Sequence, residues 1–369
     1  MKKLLSLVLS ILLLSASLIP LASCDQSGKP GETTAPEGTG AEATGADATE
    51  PETEKPEEKG MELIPDLKFE KGLELLSQKD HANGDAIKTL GTHSFYADKT
   101  AENPVWRLAQ WDSGPCLIEN RVDRGVSEIT DGAYRSFSYL PAKNEMTFFL
   151  DTSLYYQGKP AKQGDYWPHL LIEEGDFGYQ SLPAETKAYY SCGAEKLVFS
   201  MDVRMDEYDL TKITGDWVRA AQFLVYFYVK GIESNDFCWF GVQIFDNRSE
   251  LSDNYIGYDG GKPDASSAMI YSIGRKNVYP SADEGGCPFW YEGKPLASDD
   301  WMHVEIDLKP YLEDMLNVGK KNGYFKVDSL DDLCINGMNI GWETIGTFCH
   351  SMSVKDMSLR SYLESDLAE

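Results

Sequence analysis

An all-β fold, an antiparallel β-sandwich or jelly roll with one short helix near residues 310–321, is what this sequence predicts. Three observations predict it. Apolar and polar residues alternate with period two in several runs. Two further runs are apolar and aromatic on both faces. A helical period shows clearly in one place.

The alternation is clearest from Lys196 to Asp206, where Phe199, Met201, Val203 and Met205 are interleaved with Ser200, Asp202, Arg204 and Asp206. A strand points successive side chains to opposite faces, so this run reads as a half-buried strand. Ala221–Lys230 and Phe237–Arg248 are rich in β-branched and aromatic residues, which suits central strands. Trp301–Leu308 alternates again, and so does Phe348–Leu359. Shorter strands are expected at Trp106–Trp111, Glu145–Leu150 and His169–Glu173. The helix is expected at Pro310–Lys321. Proline fits its first turn, Leu312, Met315 and Leu316 line one face, and Gly323 supplies a stop.

The N-terminus has a different character. Lys2 and Lys3 precede an apolar stretch from Leu4 to Pro20, and small residues lead to Cys24 in Leu21-Ala22-Ser23-Cys24. Leu4–Ala22 is about long enough to span a bilayer. The small residues and the cysteine at the junction favour a cleaved signal instead. The run resembles a bacterial lipoprotein signal peptide over residues 1–23. That resemblance implies lipidation of Cys24 and a chain anchored at the extracytoplasmic face of a cell membrane. Residues 24–60 read as an acidic linker. From Asp25 to Gly60 there is no Leu, Ile, Val or aromatic residue, too little apolar surface to repay ordering. Its flexible span would be roughly 33 Å.

The formal net charge of the chain is −26. The linker accounts for only part of it, so residues 61–369 are acidic too. An acidic body argues against nucleic acid and against polyanionic glycans, and favours a neutral partner. Residues 61–369 are expected to form one β-sandwich domain, with 61–104 as a lead-in. Besides Cys24 there are Cys116, Cys192, Cys238, Cys287, Cys334 and Cys349. Outside the cytoplasm an even count permits disulfides, with connectivity open. No C-x-x-C, Gly-x-Ser-x-Gly or P-loop pattern occurs.

Three segments carry a second resemblance: Trp167–Glu173 (WPHLLIE), Trp239–Asp246 (WFGVQIFD) and Gly337–Glu343 (GMNIGWE). Together they resemble secreted bacterial β-sandwich proteins of the concanavalin A-like, carbohydrate-binding kind, over most of residues 105–362. None of the expected strands carries the Glu-x-Asp-x-x-Glu motif of β-glucanases in that fold group. The resemblance implies a partner that is a neutral poly- or oligosaccharide. Non-catalytic binding is the leading expectation. A glycoside hydrolase or other polysaccharide-cleaving enzyme on the same fold is the alternative, and a structural or protein-interaction lipoprotein is the third.

Aromatic faces stack on sugar rings while amides and carboxylates bind hydroxyls. Trp167, His169, Gln222, Gln243, Asp246, Asn339 and Trp342 are therefore the expected ligand-binding set. Trp290 and Trp301 are further candidates, whereas Trp239, inside Phe-Cys-Trp-Phe, reads as core. If the chain is an enzyme, Glu173, Asp246 and His169 are the expected catalytic groups. Asp246 and Arg248 share a strand face and read first as a structural ion pair. No cofactor is expected. The loop Ser252–Asp264 offers Asp253, Asn254, Asp259 and Asp264 as a weak calcium set, and reads first as a solvated loop.

Overall fold

Leu197, Phe199, Met201, Val203 and Met205 are all fully buried along a strand spanning Lys196–Tyr208, as period two requires. That strand lies in one of two large sheets. The computed structural model describes residues 59–77, 88–109, 122–123, 125–132, 134–212, 219–260, 266–280, 288–291 and 294–368. The signal peptide, Cys24, nearly all of the linker, Cys116, Cys287 and Asp264 lie outside the described residues.

In chain order the first strands are β1 (Met61–Glu62), β2 (Leu73–Leu76), β3 (Thr89–His93), β4 (Trp106–Ala109), β5 (Val122–Asp123) and β6 (Glu128–Thr130). Next come β7 (Arg135–Leu140), β8 (Glu145–Asp151), β9 (His169–Glu174), β10 (Lys196–Tyr208), β11 (Ala220–Gly231) and β12 (Phe237–Asp246). The last are β13 (Tyr255–Tyr258), β14 (Met269–Ile273), β15 (Trp290–Tyr291), β16 (Lys294–Pro295), β17 (Met302–Asp307), β18 (Leu333–Ile345) and β19 (Cys349–Tyr362).

One sheet has eight strands in the order β17-β10-β19-β8-β7-β6-β5, with β1 paired to β19 off this path. The other has nine, in the order β13-β14-β12-β11-β18-β9-β4-β2-β3. A small hairpin pairs β15 with β16. Pairing is antiparallel except for β12 with β14 and β2 with β4. Rings from the two sheets meet in the core: Phe148 on Phe223 at 5.4 Å and Phe199 on Phe227 at 5.2 Å. The fold is the mostly-β sandwich that the alternation predicts.

Residues 61–104 are more than a lead-in. They supply β1, β2 and β3, and they bury Phe69 and Phe95 against Trp106, Phe137 and Tyr139. Their strands are too short for alternation to show. The helix spans Lys309–Lys321 and buries Leu312, Met315 and Leu316. Gly323, at φ +77°, ends it, and Tyr324 N–H reaches back to the Gly319 carbonyl. Cys192, Cys238, Cys334 and Cys349 are free buried thiols.

His350, on β19, is fully buried between the sheets, with its ring 3.8 Å from that of Trp342. Desolvation pushes its pKa down to about 3, so it stays neutral in the fold. The unfolded chain takes up a proton near pH 6.5 that the folded chain refuses, so stability falls as pH drops below 6.5. At about 1.4 kcal/mol per pH unit, this one group should cost roughly 3 kcal/mol by pH 4. Glu174 works in the opposite sense. Burial raises its pKa to about 7, so the fold favours its protonated form and loses stability as pH rises from 4.5 to 7. Denaturant titrations across pH should show His350→Leu flattening the acid limb. An unchanged acid limb would contradict the assignment.

Candidate functional site

The outer face of the nine-stranded sheet carries the chemistry. On β11, Ala221, Phe223, Val225, Phe227 and Val229 face the core, which turns Gln222, Leu224, Tyr226 and Tyr228 outward. On β12, Cys238, Phe240 and Val242 face the core, which turns Phe237, Trp239, Gly241 and Gln243 outward. Gln243 and Asp246 are three residues apart and would sit on opposite faces of a regular strand. A bulge resolves this. Phe223 pairs with Phe245 and Leu224 with Gln243, so Ile244 is the extra residue and both polar groups face outward.

Register then assembles rows across strands. His169 pairs with Glu343, Glu343 with Gln222, and Gln222 with Asp246. This polar row crosses β9, β18, β11 and β12. Arg248 closes its end. Its Nε donates to Asp246 Oδ1 at 2.9 Å, and its Nη2 donates to Asp246 Oδ2 at 2.5 Å and to Gln222 Oε1 at 2.6 Å. The Asp246–Arg248 pair is thus a two-pronged ion pair that also orients an amide. A second row runs Glu173, Asn339, Tyr226, Gly241, Ser272 and Tyr255. Small residues at Gly241 and Ser272 leave room beside Tyr226. A Cβ on Gly241 would meet the Tyr226 ring at 2.6 Å. Desolvation, then the Glu343 carboxylate, pushes the Tyr226 phenol up.

An aromatic cluster adjoins these rows. Trp239 packs edge-on against Tyr228 and Phe237, both at 4.9 Å, and lies 6.2 Å from Tyr226. It is half-buried, and its indole N–H donates to Ser266 Oγ at 2.8 Å. Tyr255, on the edge strand β13, is 51% exposed at the rim.

Two tryptophans exchange the roles expected from sequence. Trp342 is fully buried and donates its indole N–H to the Phe148 carbonyl at 3.1 Å, so it is a core residue and no part of this face. Trp239, expected in the core, is on the face. The signal for both was parity: Trp342 is three residues from the outward Asn339, while Trp239 is four from the outward Gln243. Trp167 is half-buried at the end of the face, packed with Ala161, Ala220 and Ile345. Trp290 packs against the core. Trp301 lies against the eight-stranded sheet, between Arg204 at 4.4 Å and Lys355 at 4.6 Å.

The expected catalytic groups do not converge. His169 and Glu173 share a face but stand four residues apart on β9, about 13 Å at 3.3 Å per residue. Glu173 and Asp246 are three strands and four residues apart, about 20 Å. A glycosidase pair needs about 5 to 9.5 Å between carboxyl groups. The residue that adjoins His169 is Glu343, directly across from it on β18. Glu343 ends the Gly337–Glu343 segment and is not among the expected site residues. Its parity with Asn339 was the available signal.

The described members of the loop set, Asp253, Asn254 and Asp259, are each engaged by protein donors. Asp253 pairs with Lys276 at 2.8 Å, Asn254 Oδ1 accepts from Gly274 N–H and from Asn277, and Asp259 accepts from Ser266 N–H and Oγ. Among the described residues, no group of three or more His, Cys, Asp and Glu side chains is placed to hold a metal ion.

No protein-family model matches the sequence. No curated protein matches it either. Solved structures give similarities in architecture. The endoglucanase cel12A from Rhodothermus marinus is 9% identical with a TM-score of 0.32, covering 66% of this chain and 89% of its own. A family 12 xyloglucanase from Bacillus licheniformis is 6% identical with a TM-score of 0.35, covering 62% and 85%. The family 11 xylanase from Neocallimastix patriciarum is 8% identical with a TM-score of 0.34, also covering 62% and 85%. No residue role is carried over from similarities at this level.

Proposed function

We propose that the outer face of the nine-stranded sheet binds a neutral poly- or oligosaccharide without cleaving it. One observation carries this reading. Half-buried Trp239 and Tyr226 share a face with a register-aligned row of amide, carboxylate and imidazole groups. Aromatic rings take the apolar faces of sugars, and the polar row takes hydroxyls. Asp246 holds Arg248 through both oxygens, and Glu173 Oε1 takes both Arg107 and the Tyr228 hydroxyl. That suits orientation better than proton transfer. Lipid attachment at Cys24 would hold this face outside the cytoplasm, tethered by the acidic linker.

Hydrolysis is the second reading. Its support is that Glu343 and Asp246 face the same way, two strands apart in one row, about 10 Å between Cα atoms. Electrophoresis of the intact protein through gels cast with hydroxyethylcellulose, arabinoxylan or galactomannan separates the two readings. Retardation without new reducing ends is expected, and Gln222→Ala should weaken it several-fold, about 1 kcal/mol for one hydrogen bond. New reducing ends, lost in Glu343→Gln, would replace binding by hydrolysis. No retardation in any gel would sink both.

A further inference from the structure

Arg107, Glu173 and Asn339 stand side by side on β4, β9 and β18, in register with one another. Arg107 Nη2 donates to Glu173 Oε1 at 2.8 Å. The Tyr228 hydroxyl donates to the same Oε1 at 2.8 Å and accepts from Asn339 Nδ2 at 3.2 Å. Glu173 and Asn339 are each only 5% exposed. Yet among the described residues Glu173 Oε2, Asn339 Oδ1 and Arg107 Nε have no hydrogen-bond partner.

Flipping the Asn339 amide does not remove the vacancy. The Tyr228 hydroxyl has one proton, and Glu173 holds it. A flipped amide would aim its oxygen at a hydroxyl with nothing left to give. A buried polar group left without a partner destabilises the fold. Two acceptors and one donor open together therefore describe a place built for a group that both donates and accepts. A sugar hydroxyl does both.

Resting on the carbohydrate reading above, we propose that Glu173, Asn339 and Arg107 form a hydroxyl-reading subsite for an unsubstituted neutral sugar. Two open acceptors receive protons from adjacent hydroxyls, and Arg107 Nε donates to one of their oxygens. The subsite adjoins the aromatic cluster, since Tyr228 touches both Glu173 and Trp239. A sugar stacked there has this subsite as its neighbour. Arg107 is the cover. Its side chain is 36% exposed and lies over Gly175, where a Cβ would meet Nη2 at 2.8 Å. Rotation of this one long side chain opens the way to Glu173. A uronic acid would be repelled by the Glu173 carboxylate, and an etherified or acylated sugar would lack the protons.

The test compares wild type, Trp239→Ala, Glu173→Gln and Asn339→Leu by electrophoresis in gels of mixed-linkage β-glucan, arabinoxylan or galactomannan, with thermal midpoints measured alongside. Glu173→Gln preserves shape and an acceptor for Tyr228, so it guards against a folding failure in Asn339→Leu. The expected result is at least tenfold weaker retardation for Glu173→Gln and Asn339→Leu at near-wild-type midpoints. Retardation lost in Trp239→Ala but unchanged in Glu173→Gln and Asn339→Leu would overturn the subsite and leave the carbohydrate reading standing. The network would then hold water alone. No retardation of the wild type in any gel would overturn both.

Discussion

Trp342→Ala should lower the stability of the fold by about 3–5 kcal/mol, the cost of emptying a large aromatic site in a packed core. The indole is fully buried, touches Phe223 at 5.1 Å, Phe245 at 5.9 Å and His350 at 3.8 Å, and donates to a carbonyl of the opposite sheet. Removing it loses dispersion contacts from both sheets and the indole hydrogen bond to the Phe148 carbonyl. Any loss of ligand retention in this variant should follow the fraction of unfolded protein. Chemical denaturation measures the effect. A loss below about 1 kcal/mol would show that Trp342 is not the core residue described here.

Trp239→Ala should do the reverse. Its ring lies on the outer face, so its removal should cost the fold only about 1 kcal/mol of aromatic contact with Tyr228 and Phe237. Retention by neutral polysaccharide should fall at least tenfold, about 1.4 kcal/mol. Trp301→Ala is the matched control, because Trp301 is held between Arg204 and Lys355 against the other sheet. Equal retention by Trp239→Ala and wild type, at full stability, would remove the aromatic cluster from the site.

These two residues also show how far the sequence could be read. The strands of β10, β11, β12, β17 and β19 were legible because their runs are long enough for period two to declare itself. The strands β1, β2 and β3 were not, because two to five residues carry no period. Gln222, Gln243, Asn339 and His169 lie on the outer face by the alternation of their strands, and Asp246 joins them only through the bulge at Ile244. Trp342 was misassigned because a tryptophan near polar residues attracts attention, although its position, odd or even along the strand, places it with Met338 and Ile340. The bulge at Ile244 could not be read, and it alone brings Asp246 beside Gln222. Nor could register. His169 meets Glu343 and not Glu173 because an antiparallel neighbour is nearer than a residue four along the same strand.

Hydroxyl-radical footprinting of the intact protein, with and without the polysaccharide that retards it, locates the binding face. Protection of Trp239, Tyr226 and Tyr255 is expected, with Trp301 unchanged. Protection of Trp301 alone, or none at saturating polysaccharide, would place binding elsewhere and contradict this assignment.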